Sequence, residues 1–286
     1  MANLLIGYQN RTDEGTLSGG TWLATLPLVN LQNRLVQRVA RSNGATLAAT
    51  QLNVDFGSVR TIGVVALVVH NFSVTAKVRI RADDAADFAT PTYDSGWVDV
   101  WPSGMIPLDL LNWEDDNFWL GTISANSRAG YQSPYIHALS APQTYRYWRI
   151  EVDDTFNSDG YIQIGRLFMS QTWTPSINYA LGAELGYKDT SPIETSLTGA
   201  EYFDTRTKAR EFMVTLEGLT ESEAYDVVLS LQRVSGISGE ILQIPDIADA
   251  ARIPARAYVG RLVEMSPIKN PKPGRFSTQL KIRELI

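Results

Sequence analysis

The stretch YRYWRIEVDDTFNSDGYIQIGRLF, residues 145–168, decides how the chain reads. It holds two apolar runs, 147–152 and 161–168, separated by Asp153, Asp154, Asn157, Ser158, Asp159 and Gly160. In the first run Tyr147, Arg149 and Glu151 alternate with Trp148, Ile150 and Val152, the period of a strand with one buried face. The second run is β-branched and aromatic, with Gly160 marking a turn and Gly165 a bulge. The stretch predicts two antiparallel strands joined by an acidic loop.

Upstream, Leu52, Val54 and Phe56 alternate with polar neighbours, and Gly57 supplies a turn. Residues 64–69 are continuously apolar, which predicts a strand covered on both faces. Residues 74–81 alternate again with Lys77, Arg79 and Arg81 outward. Segment 102–142 has little periodicity yet carries Trp113, Phe118, Trp119, Tyr131, Tyr135 and His137. A connection of that length is a functional loop or an interaction arm, and its aromatics either pack beneath it or bind something. Nearer the N-terminus, 3–8 reads as a short strand. Leu31, Leu35 and Val39 fall at helical spacing within 28–44, a stretch that also suits extended chain.

RYWRIEV, the acidic loop and DGYIQIGRLF, together with LNVDFGSVRTIGVVALVVHNFSVTAKVRIRAD at 52–83, resemble the galactose-binding-like jelly roll of discoidin and coagulation-factor C domains. The resemblance implies two antiparallel sheets packed face to face, with ligand-carrying loops at one end. It covers a first unit, 1–172.

Residues 173–193 read as a linker, and the unit 194–286 has a different grammar. Phe212, Val214 and Leu216 alternate in a strand, and Thr220-Glu221-Ser222-Glu223 forms a capping box. Ala224, Val227, Val228 and Leu231 then fall at helical spacing until Gly236. Strands follow at 240–244 and 255–265, and Phe276, Thr278, Leu280 and Ile282 alternate in the last one. The whole chain is therefore mainly β: a jelly-roll sandwich, then a smaller β-unit with one helix. That helix covers one sheet face, so the remaining apolar strand residues and open edges predict a partner chain.

REFMVTLEGLTESEAYDVVLSLQRVSGISGEILQIPD and ARAYVGRLVEMSPIKNPKPGRFSTQLKIREL resemble the ring-forming domain of phage distal tail proteins and tail-tube-like folds. The resemblance implies a structural virion protein of the tail tip, made in the host cytoplasm. Its partners would be copies of itself in a homohexameric ring, the tail tube, the tape-measure protein and the baseplate hub. In that family the ring unit usually comes first, whereas here the order reads as reversed.

The residue inventory bounds the chemistry. With no cysteine, disulfides, thiolate metal sites and a cysteine nucleophile are excluded. A net charge of −6 opposes direct nucleic-acid recognition. The longest apolar run is strand-sized, and the N-terminus lacks a basic secretory n-region, so neither a membrane span nor a signal peptide is predicted. Neither His70 nor His137 lies in a metal or hydrolase motif, and no enzyme activity is predicted. The pairs Asp115-Asp116 and Asp153-Asp154, with Asp159, suit a solvated loop more than a glycosidase pair, which needs a fixed separation.

No cofactor is required, although Asp153, Asp154, Asn157 and Asp159 offer calcium oxygen ligands at short spacing. Trp22, Trp113, Trp119 and Tyr131, with Asn126 and Arg128 as polar partners, are the candidates for contact with a cell-surface glycan. That makes a carbohydrate-binding module the alternative to the tail-tip reading. Arg252, Arg256 and Arg261 head a basic C-terminal stretch, against an acidic surplus elsewhere that includes residues 184–223. Opposed patches of this kind are the candidates for contact between subunits in a head-to-tail ring.

Overall fold

The computed structural model describes residues 4–115, 117–119, 121–124 and 134–286. The chain opens with β1 (Leu5–Tyr8), continues through β2 (Thr16–Ser18) and β3 (Ala40–Arg41), and enters the long β4 (Leu52–His70). Then come β5 (Lys77–Asp83), β6 (Tyr93–Asp94), β7 (Val98–Asp99), β8 (Tyr135–Asp153) and β9 (Gln163–Ser170). Apart from β1, these strands form one sheet in the order β3-β9-β4-β8-β5-β6, with β2 and β7 attached to β4 and β5.

The stretch 145–168 is not a hairpin. β8 and β9 both run antiparallel to β4, on its two sides, so they are parallel to each other and never touch as neighbours. The most apolar strand takes the middle place because its run at 64–69 has two faces to bury. Register shifts between Asp55/Arg60 and Ile62/Val64 let the β4–β8 ladder bend over. Leu52, Val54, Ile80, Trp148 and Ile150 thereby share one core with Val65, Leu67, Ile164, Leu167 and Met169. This is a jelly-roll-type β-sandwich.

Gly165 is not a bulge. Register runs unbroken from Val68↔Arg166 to His70↔Ile164, and a Cβ at Gly165 would strike the Val36 carbonyl oxygen. The helix allowed by Leu31, Leu35 and Val39 is only a 3-10 turn, Leu28–Gln32, with Leu35 exposed.

The second sheet gathers β10 (Thr172–Trp173), β11 (Glu184–Lys188), β14 (Ala209–Leu219), β15 (Ile241–Ile244), β16 (Tyr258–Leu262), β17 (Lys269–Lys272) and β18 (Arg275–Glu284). Its order is β10-β1-β15-β16-β18-β14-β11, with β17 on β18. β1 therefore lies in the second sheet and not in the unit 1–172, paired with β15 on one side and β10 on the other. β1 and the strands from β10 onward thus share one sheet, with the jelly-roll strands between them in the chain. Within the expected linker 173–193, β11 pairs with β14 along its whole length.

One face of this sheet is covered by a π-helical stretch, Glu223–Val228, that continues as the α-helix Leu229–Ser235. Ala224, Val228 and Leu231 pack there on Phe212, Val214, Tyr258, Leu280 and Ile282. The capping box is reciprocal: Glu223 N–H donates to Thr220 Oγ1 at 3.3 Å, and Thr220 N–H donates to Glu223 Oε2 at 2.9 Å. Gly236, at φ 50°, ends the helix.

The other face is covered near β1, β15 and β16 by the jelly roll itself. Val64, Ala66, Val68 and Phe168 pack on Leu242 and Val259. The expectation that these strands need a second chain for burial is corrected here: the outer face of β4 and β9 supplies it.

The seam also holds a buried ion cluster. Arg166, from β9, is 0% exposed. Its Nε and Nη2 donate to Glu240 at 3.0 and 2.7 Å, and Nη1 and Nη2 donate to Asp13 at 2.8 Å each. The Leu31 carbonyl accepts from Nη1 at 3.1 Å, so all five guanidinium N–H groups are used. Asn10 closes the cluster, donating to Glu240 and to the Leu167 carbonyl at 3.0 Å each.

Beyond β11 the chain changes character. β12 (Ile193–Thr195) and β13 (Glu201–Phe203) pair only with each other, and every residue of both is exposed.

Candidate functional site

The loop 154–161 lies at the end of the sandwich where β4 finishes and β9 begins, and hydrogen bonds fix it there. Buried Asp154 accepts from Ser73 N–H at 3.0 Å, from the Ser73 hydroxyl, and from Asn157 Nδ2 at 2.7 Å. Asn71 Nδ2 donates to Asp159 Oδ2 at 2.8 Å and to the Tyr161 carbonyl at 3.1 Å. The Asn71 side-chain oxygen accepts from Gln163 N–H at 2.7 Å.

This fixed loop holds Phe156 outward, 89% exposed. At the C-terminal end of the loop the Arg41 guanidinium lies 4.2 Å over the Tyr161 ring and donates to Gln163 Oε1 at 2.9 Å. Ser42 is bonded in both directions to Ile162, and Trp22 pairs with Ser42, which brings the Trp22 loop to the same end. An exposed apolar ring and a planar cation–aromatic stack offer flat surfaces of the kind that a sugar's C–H face packs on.

The residues expected to carry function are distributed as follows. Trp22 is half-buried, donates to the Gly19 carbonyl at 3.1 Å and packs on the sandwich core. Trp113 and Trp119 are 76% and 87% exposed, and Trp119 meets Phe118 edge-on at 5.3 Å. Asn126, Arg128, Tyr131 and also Asp116 lie outside the described residues.

The side chains of Asp153, Asp154, Asn157 and Asp159 accept from different donors within and beside the loop. Asp154 takes the donors already given, Asp153 accepts from Thr155 Oγ1 at 2.8 Å, and Asn157 Oδ1 accepts from Asp159 N–H at 2.9 Å. Among the described residues, no group of three or more His, Cys, Asp or Glu is placed to hold a metal.

Of the three arginines, Arg252 and Arg256 share Asp249 at 3.0 and 3.4 Å, and Arg261 donates to the Leu262 carbonyl at 3.1 Å. Lys281 and Arg283 pair with Glu211, and Arg210 with Glu284. Arg252, Arg256, Lys281 and Arg283 of the basic C-terminal stretch thus have carboxylate partners within the chain.

Both histidines are built into the sandwich. His70 stacks on Phe72 with ring centroids 4.2 Å apart. His137 Nε2 lies 3.1 Å from the Tyr93 hydroxyl, and burial holds its pKa below the usual imidazole range. What sequence reasoning missed is Phe156 itself. The signal was a lone aromatic inside an otherwise polar loop, masked by attention to the carboxylates around it.

No family model matches the chain, and no curated protein matches it. Among solved structures, it is similar to a family 32 carbohydrate-binding module of Clostridium perfringens NanJ in complex with galactose. That likeness has 14% identity and a TM-score of 0.37, over 58% of this chain and 99% of the other. The lectin domain of Lectinolysin complexed with Lewis B antigen is similar at 14% identity and TM-score 0.38, over 57% and 96%. The family 32 module of AlyQ in complex with 4,5-unsaturated mannuronic acid gives 14% and 0.34, over 57% and 96%.

Proposed function

We propose that the chain is a non-enzymatic attachment protein whose jelly roll contacts carbohydrate through the loop end around Phe156. The observation that supports this most is the fixed loop: its polar groups are bonded inward while a phenyl ring is held in solvent. The second sheet is then the mount that orients this end. A glycan panel probed with the purified chain tests it. Wild type is expected to bind and Phe156→Ala to lose binding at unchanged thermal stability. Equal binding by the variant, or no glycan bound at all, would remove the reading.

A second reading is a phage tail-tip protein, in which the second sheet joins copies of the chain into a ring between the tail tube and the host-contact apparatus. What favours it is the uncovered edge strand β11 and the exposed hairpin beyond it, since open edges pair with other chains unless they are blunted. Tape-measure and baseplate hub proteins would then be the further neighbours. Detection of the chain in purified particles, with a closed oligomer in solution, is the expected result. A monomer absent from particles overturns it.

A further inference from the structure

The sequence holds one Asn-Gly pair, Asn43-Gly44, and one Asp-Gly pair, Asp159-Gly160. Both lie at the loop end of the sandwich, where Ser42 is bonded to Ile162. Before a glycine, an Asn or Asp side chain is open to attack by the next backbone nitrogen, because no Cβ shields that nitrogen. Asn157-Ser158, in the same loop as Asp159, is a more crowded pair of the same kind. Attack needs a side chain free to turn and a nitrogen not already spent on a hydrogen bond.

The structure separates the three pairs. Asn157 is buried, its Nδ2 donates to the Asn71 carbonyl at 3.0 Å and to Asp154 at 2.7 Å, and its Oδ1 accepts from Asp159 N–H. Asp159 accepts from Asn71 Nδ2 at 2.8 Å, and Gly160 N–H donates to the Asn157 carbonyl at 3.0 Å. Both reacting groups are therefore held in each case. Asn43 differs: it is exposed, and among the described residues neither its side-chain amide nor the Gly44 N–H makes a hydrogen bond. A Cβ built on Gly44 would meet nothing within 4 Å, so there is room for a ring to close.

We propose that Asn43 is a site of spontaneous modification, its amide lost to the Gly44 nitrogen while Asn157 and Asp159 are protected by the fold. The Gly44 nitrogen gives up its proton and bonds to Asn43 Cγ. The Cγ–Nδ2 bond breaks, ammonia leaves and a five-membered succinimide remains. Water then adds to either ring carbonyl and reopens the ring as aspartate or isoaspartate, with no change of oxidation state. Each product adds one negative charge to a chain already at −6. The isoaspartyl form also lengthens the main chain inside the turn where the Ser42 hydroxyl donates to the Gly44 carbonyl at 2.6 Å, the turn that ties the Trp22 loop to β9. The inference is independent of what the loop end binds and of how copies assemble.

The test holds the purified full-length chain folded in mildly alkaline buffer made with heavy-oxygen water, and samples it by tryptic mapping. Peptide 42–60 carries Asn43, and peptide 150–166 carries Asn157 and Asp159. Fragment ions are expected to place heavy oxygen at 43 at least about tenfold faster than at 157 or 159, where hydrogen bonds must break first. In denaturant that lead should narrow, because the protection goes with the fold. Gly44→Ala, whose Cβ meets nothing, should slow the reaction at unchanged thermal stability. Asn43 that keeps its amide in the folded chain overturns the proposal, as does a lead that denaturant leaves unchanged. An unchanged rate in Gly44→Ala overturns it too, since the Gly44 nitrogen would then not be the attacking group.

Discussion

At the seam between the sheets, Arg166 has no solvent exposure and spends every N–H group on Glu240, Asp13 and Leu31. At the hairpin arm, by contrast, Tyr202 and Phe203 lie in the open and pair, among the described residues, with the opposite strand. Both regions join second-sheet strands to other parts of the chain, and both carry large side chains. The seam pairs the Arg166 guanidinium in full and hides its apolar side chains, so these residues serve the fold. The arm leaves its apolar side chains exposed, so they add little to the fold.

The largest effect should come from breaking the seam. Glu240→Ala leaves the Arg166 charge buried with Asp13 alone, and should cost about 3–5 kcal/mol in denaturant unfolding. Replacing both, Arg166→Met with Glu240→Leu, should recover much of that loss, because the uncompensated charge goes with its partner. A seam of this kind also predicts one unfolding transition for both sheets. Two well-separated transitions in calorimetry would break the comparison at its base.

Gly165→Ala comes next. Its new Cβ meets backbone at the Val36 carbonyl, where nothing flexible can yield, and a destabilisation of about 1–3 kcal/mol is expected from the denaturation midpoint.

The helix cap is smaller and pH-dependent. Thr220→Ala should cost about 1 kcal/mol. Burial pushes the Glu223 carboxyl up, but the N–H and hydroxyl donors of Thr220 and Ser176 pull further, and its pKa sits below the usual glutamate value. A depressed folded pKa means the contribution is fully present above about pH 4.5 and fades as pH falls through the folded value. The stability gap between wild type and Glu223→Gln should therefore be open at neutral pH and close in acid. A pH-independent gap would show that the carboxylate charge is not what the cap uses.

Removing the arm should do least to the fold. Bridging 192 to 205 with a short Gly-Ser turn should move unfolding by no more than about 0.5 kcal/mol, the usual range for surface changes. Limited proteolysis should cut first within 189–208, beyond β11, where exposed chain has few contacts to break. A large loss of stability would mean that the arm is part of the fold after all.

How much of this could be read from residues alone depended on range. The Thr220–Glu223 box is legible because both members sit within one helical turn. The even-numbered apolar residues from Phe276 to Ile282 are legible because a strand's two faces alternate locally. Arg166 meeting Glu240, or Leu5 pairing with Ile244, leaves no local trace: each residue looks like an ordinary member of its own segment. The placing of β4 between β8 and β9 was hidden for the same reason, since adjacency in sequence suggested a hairpin. At the loop end, Trp22 and the strand start after the 154–161 loop meet through Arg41 and Ser42, more than a hundred residues from Tyr161 and Ile162, which no spacing rule reaches.

β1 and β10 are adjacent antiparallel strands, with Ile6 opposite Trp173, so the chain leaves the second sheet for the jelly roll and comes back one strand over. The two ends of the sandwich therefore plug into the sheet side by side, like a cassette in a socket. A different domain with close-set ends could occupy that socket without altering the path of the sheet. To seat firmly it would have to bring an apolar patch for Leu242 and Val259 and a cation for Glu240. That requirement gives a design rule for grafting new tips onto this base.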